Sequence, residues 1–402
     1  MLRYLEARQK VISTITTRAL RPATETIELA ASLGRVLAEE TFADRDYPPF
    51  DRSTRDGFAV RAADFVSLPT TLRRLGEIKA GESYPGKVEP GTCVQIMTGA
   101  PVPAGADAVV MVEHTEPKGE QVVIKRSVAA GAYIVPRGSE ACQGALLLPP
   151  GRRIGYPEIS LLGQVGKARV CVYRRPRVAV LSTGDEVVAV AAQPGPSQIR
   201  NSNSYSMAAQ VTLSGGEPVL LGNARDDLRE LERFVRRGLE EDLLVLTGGV
   251  SMGKYDLVEV VLRQLGAEFF FDAVAIRPGR PVVFGFCQGK FVFGLPGNPV
   301  STMVTFELFV APAIALLGGG AAPALHFFKA RLAEAVKQKT ELTLFLPAQL
   351  EGENSDVTVR VLPWQGSGDV VALTRSNCFL VVPDNVSELA AGSWVDVLPR
   401  CG

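Results

Sequence analysis

From Arg175 to about residue 322 the chain alternates short apolar runs with amphipathic ones, and this alternation constrains the fold most. The runs RVAVLSTG, PVLLG, DLLVLTGG and KFVFGLPG read as strands. Between them SNSYSMAAQVTLSGG, RDDLRELERFVRRGLEE and DLVEVVLRQLG have helical spacing, and another helix begins at Pro299. Strands alternating with helices need crossover connections. The expected fold is a doubly wound, mostly parallel α/β sheet with ligands at the strands' carboxyl ends.

Three of those strand ends open into polar, glycine-bearing loops. They are Ser182-Thr183-Gly184-Asp185-Glu186, Thr247-Gly248-Gly249-Val250-Ser251 running on to Asp256, and Pro296-Gly297-Asn298-Pro299. Glycines let backbone N–H groups face a phosphate. Asp185, Glu186 and Asp256 are oxygen ligands of the kind Mg²⁺ uses together with substrate phosphate. Read singly, Asp185-Glu186 also suits a helix N-terminus and Gly248-Gly249 a tight turn. Asn298 suits an N-cap and Pro299 the first helical position, so the first-turn N–H groups make an expected anion site. Upstream, AIRPGRPVVFG sets Arg277 and Arg280 around a Pro-Gly turn. Two guanidinium groups so placed suit an oxyanion, and a solvated surface hairpin is the alternative.

Elsewhere the texture differs. YLEARQKVISTI and TIELAASLGRVLAEE read as helices, as does GRRIGYPEISLLGQVG. Residues 71–140 carry short β-rich runs between Gly/Pro turns, and 327–402 return to strands, a small barrel or sandwich. The expected domains are 1–45 with 141–172, discontinuous and helical; 46–140, an inserted small β domain; 173–322, the α/β domain; and 323–402, a C-terminal β-barrel. Asp51 and Asp56 sit in the charged turn PPFDRSTRDGFAVRAAD, which Asx-turns alone could explain. Thr98 and Gly99 follow the strand run CVQIM.

With 402 residues, the chain exceeds what one core serves. Its 43 Lys plus Arg against 43 Asp plus Glu argue against a general nucleic-acid binder. Six scattered cysteines and two histidines argue against Cys/His zinc and against a Ser/His/Asp nucleophile. No leader pattern opens the chain, and no apolar run reaches the ~20 residues of a bilayer span. A soluble, reduced, cytoplasmic protein is expected.

The strings PPFDRSTRDGFAVR, IMTGAPVP, VPRGSE, VLSTGDEVV, SNSYSM, LTGGVSMGKYD, IRPGRPVVFG, GLPGNPVST and QGSG, in this order, resemble the molybdopterin molybdenumtransferases, MoeA and the gephyrin E domain. The resemblance implies insertion of molybdenum from molybdate into adenylylated molybdopterin, with Mg²⁺-assisted loss of AMP. It implies a homodimer whose site is shared between subunits, with Asp56 and Thr98 coming from the partner. Glu186 and Asp256 would handle Mg²⁺ and the pyrophosphate linkage. Arg277, Arg280 and Ser367 would hold molybdate, and Pro296 to Pro299 would shape the pterin pocket, with Glu140 at a substrate-binding position. A molybdopterin adenylyltransferase would be a partner delivering substrate; neither nucleic acid nor membrane is implied.

The chain departs from the family pattern at several positions. Arg277 and Arg280 stand where Lys is usual, Glu140 and Asn201 where Asp is common, and Arg55 where Met is frequent. Pro347 takes the place of an arginine associated with molybdate. Pro347 and Asn201 motivate a second reading, a gephyrin-like scaffold or paralogue without transfer. A third is a molybdopterin adenylyltransferase, which shares the α/β domain.

Overall fold

The computed structural model describes residues 1–249, 257–339, 341–353 and 356–400. They form two compact units, one of residues 1–38, 151–156 and 169 onward, the other of residues 39–150 and 157–168.

The described residues of the first unit build a six-stranded sheet. Its strands are β1 (Arg177–Thr183), β2 (Glu217–Ala224), β3 (Leu243–Thr247), β4 (Glu268–Ala273), β5 (Pro281–Cys287) and β6 (Lys290–Leu295), in the order β2-β1-β3-β6-β5-β4. The first four in that order are parallel, and β5 and β4 add an antiparallel edge. The helices are α1 (Asn203–Leu213), α2 (Leu228–Gly238), α3 (Leu257–Gln264) and α4 (Pro299–Leu317). Because β1 pairs with β2 on one side and β3 on the other, the winding reverses at β1, where such sheets open a crevice.

Successive strand side chains point to opposite faces. Val178 and Val180 therefore join Met207, Val211, Val304 and Phe309 in one core, with Val11 and Ile15 of the helix Tyr4–Arg18. Ala179 and Leu181 join Leu231, Val235, Val258 and Val261 in the other. Burial on both faces is why these strands read as unbroken apolar runs. Within the 19 residues of α4 an 18-residue stretch has a mean hydropathy of 1.9, enough in length and composition for a membrane span, yet 67% of that stretch is buried inside the protein. It is a core helix.

Farther on, the strands Phe328–Leu332, Thr343–Glu351, Thr358–Val361, Cys378–Val382 and Trp394–Pro399 close into a barrel. Leu332, Leu346, Val359, Leu380 and Val397 fill it. In the second unit, Gly57–Val60, Thr70–Ile78, Thr92–Ile96, Ala108–Met111, Thr115–Lys118 and Gln121–Ile124 form a further sheet around Phe58, Leu72 and Val110.

One expectation fails. TIELAASLGRVLAEE is not a helix: Thr24–Glu28 is a strand paired antiparallel with Arg169–Tyr173, and Leu29–Ala31 is a single 3-10 turn. The segment's helical spacing yields to a ladder partner far along the chain, which no local window contains.

Candidate active site

The carboxyl ends of β1, β3 and β6 surround a cleft of about 690 Å³. Ser182, Thr183, Gly184 and Glu186 line it after β1, Thr247, Gly248 and Gly249 after β3, and Pro296 to Pro299 after β6. The sheet thus gathers the described residues of the three loops that the sequence singled out. Asp185 stands beside them, its Oδ1 accepting the Asp226 N–H at 3.3 Å. Ser251 and Asp256 lie outside the described residues.

The Pro-Gly-Asn-Pro turn is held from behind. Thr247 Oγ1 donates to the Pro296 carbonyl at 2.9 Å and Thr302 Oγ1 to the same oxygen at 2.6 Å. The Asn203 amide donates to the Gly297 carbonyl at 2.8 Å and to Thr247 Oγ1 at 3.1 Å. Gly248 has φ +88°, and a Cβ there would lie 2.6 Å from the Thr183 carbonyl oxygen, so only glycine lets these loops meet.

Asn298 occupies the N-cap position of α4 and Pro299 the first turn, as expected, but the Asn298 side chain makes no capping bond. The expected first-turn anion site is also largely used up. Pro299 carries no N–H, and the Val300 N–H donates to the Ser367 carbonyl at 2.9 Å. The turn is a cleft wall and a joint to the Ser367 loop.

Sequence reasoning missed one carboxylate, Asp226. It lines the cleft after β2 and belongs to the RDDLRELER stretch, whose next residue, Asp227, caps α2 by accepting the Glu230 N–H at 2.8 Å. The signal was present: β2 ends on the same sheet edge as the other loops. Desolvation in the cleft, then the negative charges of Asp185 and Glu186, hold the Asp226 carboxyl above the usual range. The helix-terminus alternative for Asp185-Glu186 does not hold, since Val187–Val188 forms a short strand with Ile199–Arg200.

Among the described residues, no group of three or more His, Cys, Asp or Glu converges as a complete metal cage. The donor set still suits Mg²⁺, which is commonly held by one or two carboxylates together with substrate phosphates. Glu186 and Asp226 face one cleft and act electrostatically on each other.

A second cleft, about 510 Å³, brings Arg277, Arg280 and Ser367 together with Trp364 and Gly366. It shares Pro281, Pro296 and Asn298 with the first. Neither guanidinium is in an ion pair among the described residues. Ile276–Arg277 pairs with Thr343–Leu344, so the segment is docked on the barrel, while Arg277 and Arg280 are themselves exposed, as the surface alternative expected. Pro347 is not on this wall. It is buried in the strand Thr343–Glu351 opposite Phe379, and the Leu362 N–H donates to its carbonyl at 3.0 Å. Asn201 lines the first cleft, and its Oδ1 accepts from Ser182 Oγ at 2.9 Å and from the Ser204 N–H at 3.1 Å, fixing the start of α1.

In the second unit, Asp56 Oδ1 accepts from the Thr98 N–H at 2.6 Å and from Thr98 Oγ1 at 2.7 Å. These bonds, the hydroxyl first, hold the Asp56 carboxyl below its ordinary range. Thr98 sits just past the strand Thr92–Ile96, as expected. Glu140 is paired with Arg52 at 2.7 Å. Asp51 accepts the Arg137 N–H at 2.7 Å.

Comparison with known proteins agrees with this architecture. Residues 2–166 match the MoeA N-terminal region (domain I and II), 179–316 the "Probable molybdopterin binding domain", and 329–399 the MoeA C-terminal region (domain IV). The chain is 35% identical to a molybdopterin molybdenumtransferase of Bacillus subtilis, over 93% of this chain and 89% of that protein. A Staphylococcus aureus protein of the same name is 34% identical over 93% and 90%. A molybdopterin biosynthesis MoeA protein from Pyrococcus horikosii superposes with a TM-score of 0.76 at 33% identity, covering 98% of this chain and 99% of that one. The sheet with its crevice, the barrel and the second β unit are thus those of a known architecture, and the chain belongs to the MoeA family.

Proposed function

We propose that this chain is a molybdopterin molybdenumtransferase, which inserts molybdenum from molybdate into adenylylated molybdopterin with Mg²⁺-dependent release of AMP. One observation carries the reading: the carboxylate-bearing cleft and the arginine-bearing cleft share the wall of Pro281, Pro296 and Asn298. A phosphate-linked ligand in the first would lie beside a tetrahedral oxyanion in the second. Arg277 and Arg280 supply forked cationic donors, which suit an oxyanion in fixed orientation.

Breaking a phosphoanhydride depends on positioning and charge neutralisation more than on a strong nucleophile. When bound, Mg²⁺ would neutralise the phosphate oxygens. Glu186 and Asp226 would hold it, with Asp256 a further candidate outside the described residues. The Pro296–Pro299 wall orients the ligand, and Gly248 lets it approach the backbone. The reading includes a homodimer in which the partner subunit supplies Asp56 and Thr98 to a shared site. It also includes a cytoplasmic setting and a molybdopterin adenylyltransferase as the source of substrate.

The test is AMP release from purified protein given adenylylated molybdopterin and Mg²⁺, with and without molybdate. Molybdate-dependent release with metal retained on the pterin is the expected result. Binding without release would favour the scaffold reading, and adenylylation of molybdopterin from ATP by this chain alone would favour the adenylyltransferase.

A further inference from the structure

The loop that carries Glu186 is tied to the end of β2 by more than strand pairing. The Gly184 N–H donates to the Ala224 carbonyl at 3.1 Å, and the Asp226 N–H reaches Asp185 Oδ1 at 3.3 Å. One side chain beside these ties, Asn223, adds two more. Its Nδ2 donates to the Gly184 carbonyl at 2.9 Å and to the Val187 carbonyl at 3.2 Å. Two carbonyl acceptors settle which end of the amide faces the loop. They also bracket Asp185 and Glu186, so a single amide closes that loop at both ends.

Among the described residues the other end of the Asn223 side chain makes nothing: Oδ1 is buried with no hydrogen-bond partner. Leaving a buried acceptor unpaired is unfavourable, so the side chain is oriented by its donor end. Gly184 is also the residue over which Glu186 folds. At φ +131°, a Cβ there would lie 2.5 Å from Glu186 Oε2. Moving the Gly184 peptide therefore moves the floor beneath that carboxylate. Asp226 is three residues beyond Asn223 on the same strand end.

We propose that Asn223 is a positioning residue that sets the spacing of the Glu186 and Asp226 carboxylates, and through it the cleft's hold on a divalent cation. The inference rests on the Mg²⁺ reading above and adds a residue to it. Side chains that orient metal-binding groups without touching the metal commonly change affinity by about 10–100-fold when lost.

The probe is Mn²⁺, followed by its paramagnetic resonance signal on the full-length protein in the presence of AMP. Wild type, Asn223→Ala, Asp226→Asn and the double variant are compared, with metal-free melting temperature as a separate readout. Asn223→Ala is expected to weaken Mn²⁺ binding about tenfold. In the Asp226→Asn background, the same change should add little, because one of the two carboxylates it spaces is gone. Should Asn223→Ala not fold, Asn223→Ser is read in the same way. A purely structural amide would lower the metal-free melting temperature, and its effect on Mn²⁺ would multiply with that of Asp226→Asn; that result overturns the inference. Unchanged Mn²⁺ affinity in Asn223→Ala overturns it too, while leaving the Mg²⁺ reading intact. A wild-type protein that binds no Mn²⁺ sinks that reading, and this inference with it.

Discussion

The Asn203 amide and the Gly297 carbonyl, 94 positions apart in the chain, meet at 2.8 Å. The same amide donates to Thr247 Oγ1 at 3.1 Å, so one side chain at the start of α1 joins the ends of β3 and β6. Asn203→Ala leaves a carbonyl at the turn without its donor. The expected cost is about 1–3 kcal/mol in urea denaturation, with weaker AMP binding. Unchanged stability would show that Thr247 and Thr302 hold the turn by themselves.

Gly248→Ala sets a Cβ 2.6 Å from the Thr183 carbonyl, at a φ of +88° that disfavours any side chain. Backbone strain and overpacking together predict a loss above about 2 kcal/mol. Calorimetry decides: a melting temperature equal to wild type would contradict the close approach of these loops.

Asp226 has a raised carboxyl pKa in the folded protein. Its contribution to stability is full below the unfolded pKa and is lost as pH rises through the folded value. Asp226→Asn removes that loss. The variant should melt about 1–2 °C higher than wild type at pH 7, since screening keeps exposed charge effects small. The advantage should vanish near pH 3, where both carboxyl states are protonated. Thermal melts across that range check the sign, and metal binding should fall even as stability rises.

The opposite sign applies to Asp56, whose carboxyl is held low by Thr98. Thr98→Val removes the hydroxyl donor and keeps the backbone one, so the Asp56 pKa rises toward its ordinary value. If Asp56 acts ionised, the acid limb of AMP release shifts to higher pH. A profile whose acid limb stays put would exclude Asp56 as the group responsible.

For the arginine cleft, Arg280→Gln should raise the molybdate concentration needed for half-maximal AMP release by at least about tenfold, the effect of losing a charge-assisted pair of about 1.5–3 kcal/mol. Arg280→Lys should lose less, because charge is kept and only the fork is lost. Equal effects from the two would mean that charge at this position does not bind the oxyanion.

Much of this was legible before any coordinates. Strands such as RVAVLSTG and DLLVLTGG are buried on both faces, so their apolar runs are unbroken and local. Three loops of the cleft follow from the rule that such sheets bind ligands at their carboxyl edge. What tertiary structure alone decided are the pairings between distant segments. Thr24–Glu28 became a strand because Arg169–Tyr173 offered it a ladder. The Val300 N–H went to Ser367 instead of to an anion, joining the two clefts. Asp226 entered the cleft, and Asn203 and Asn223 came to hold its loops, because strand order set their ends side by side. Periodicity within a segment is encoded locally. The partner that satisfies a hydrogen-bonding group is chosen by the packing of the whole sheet.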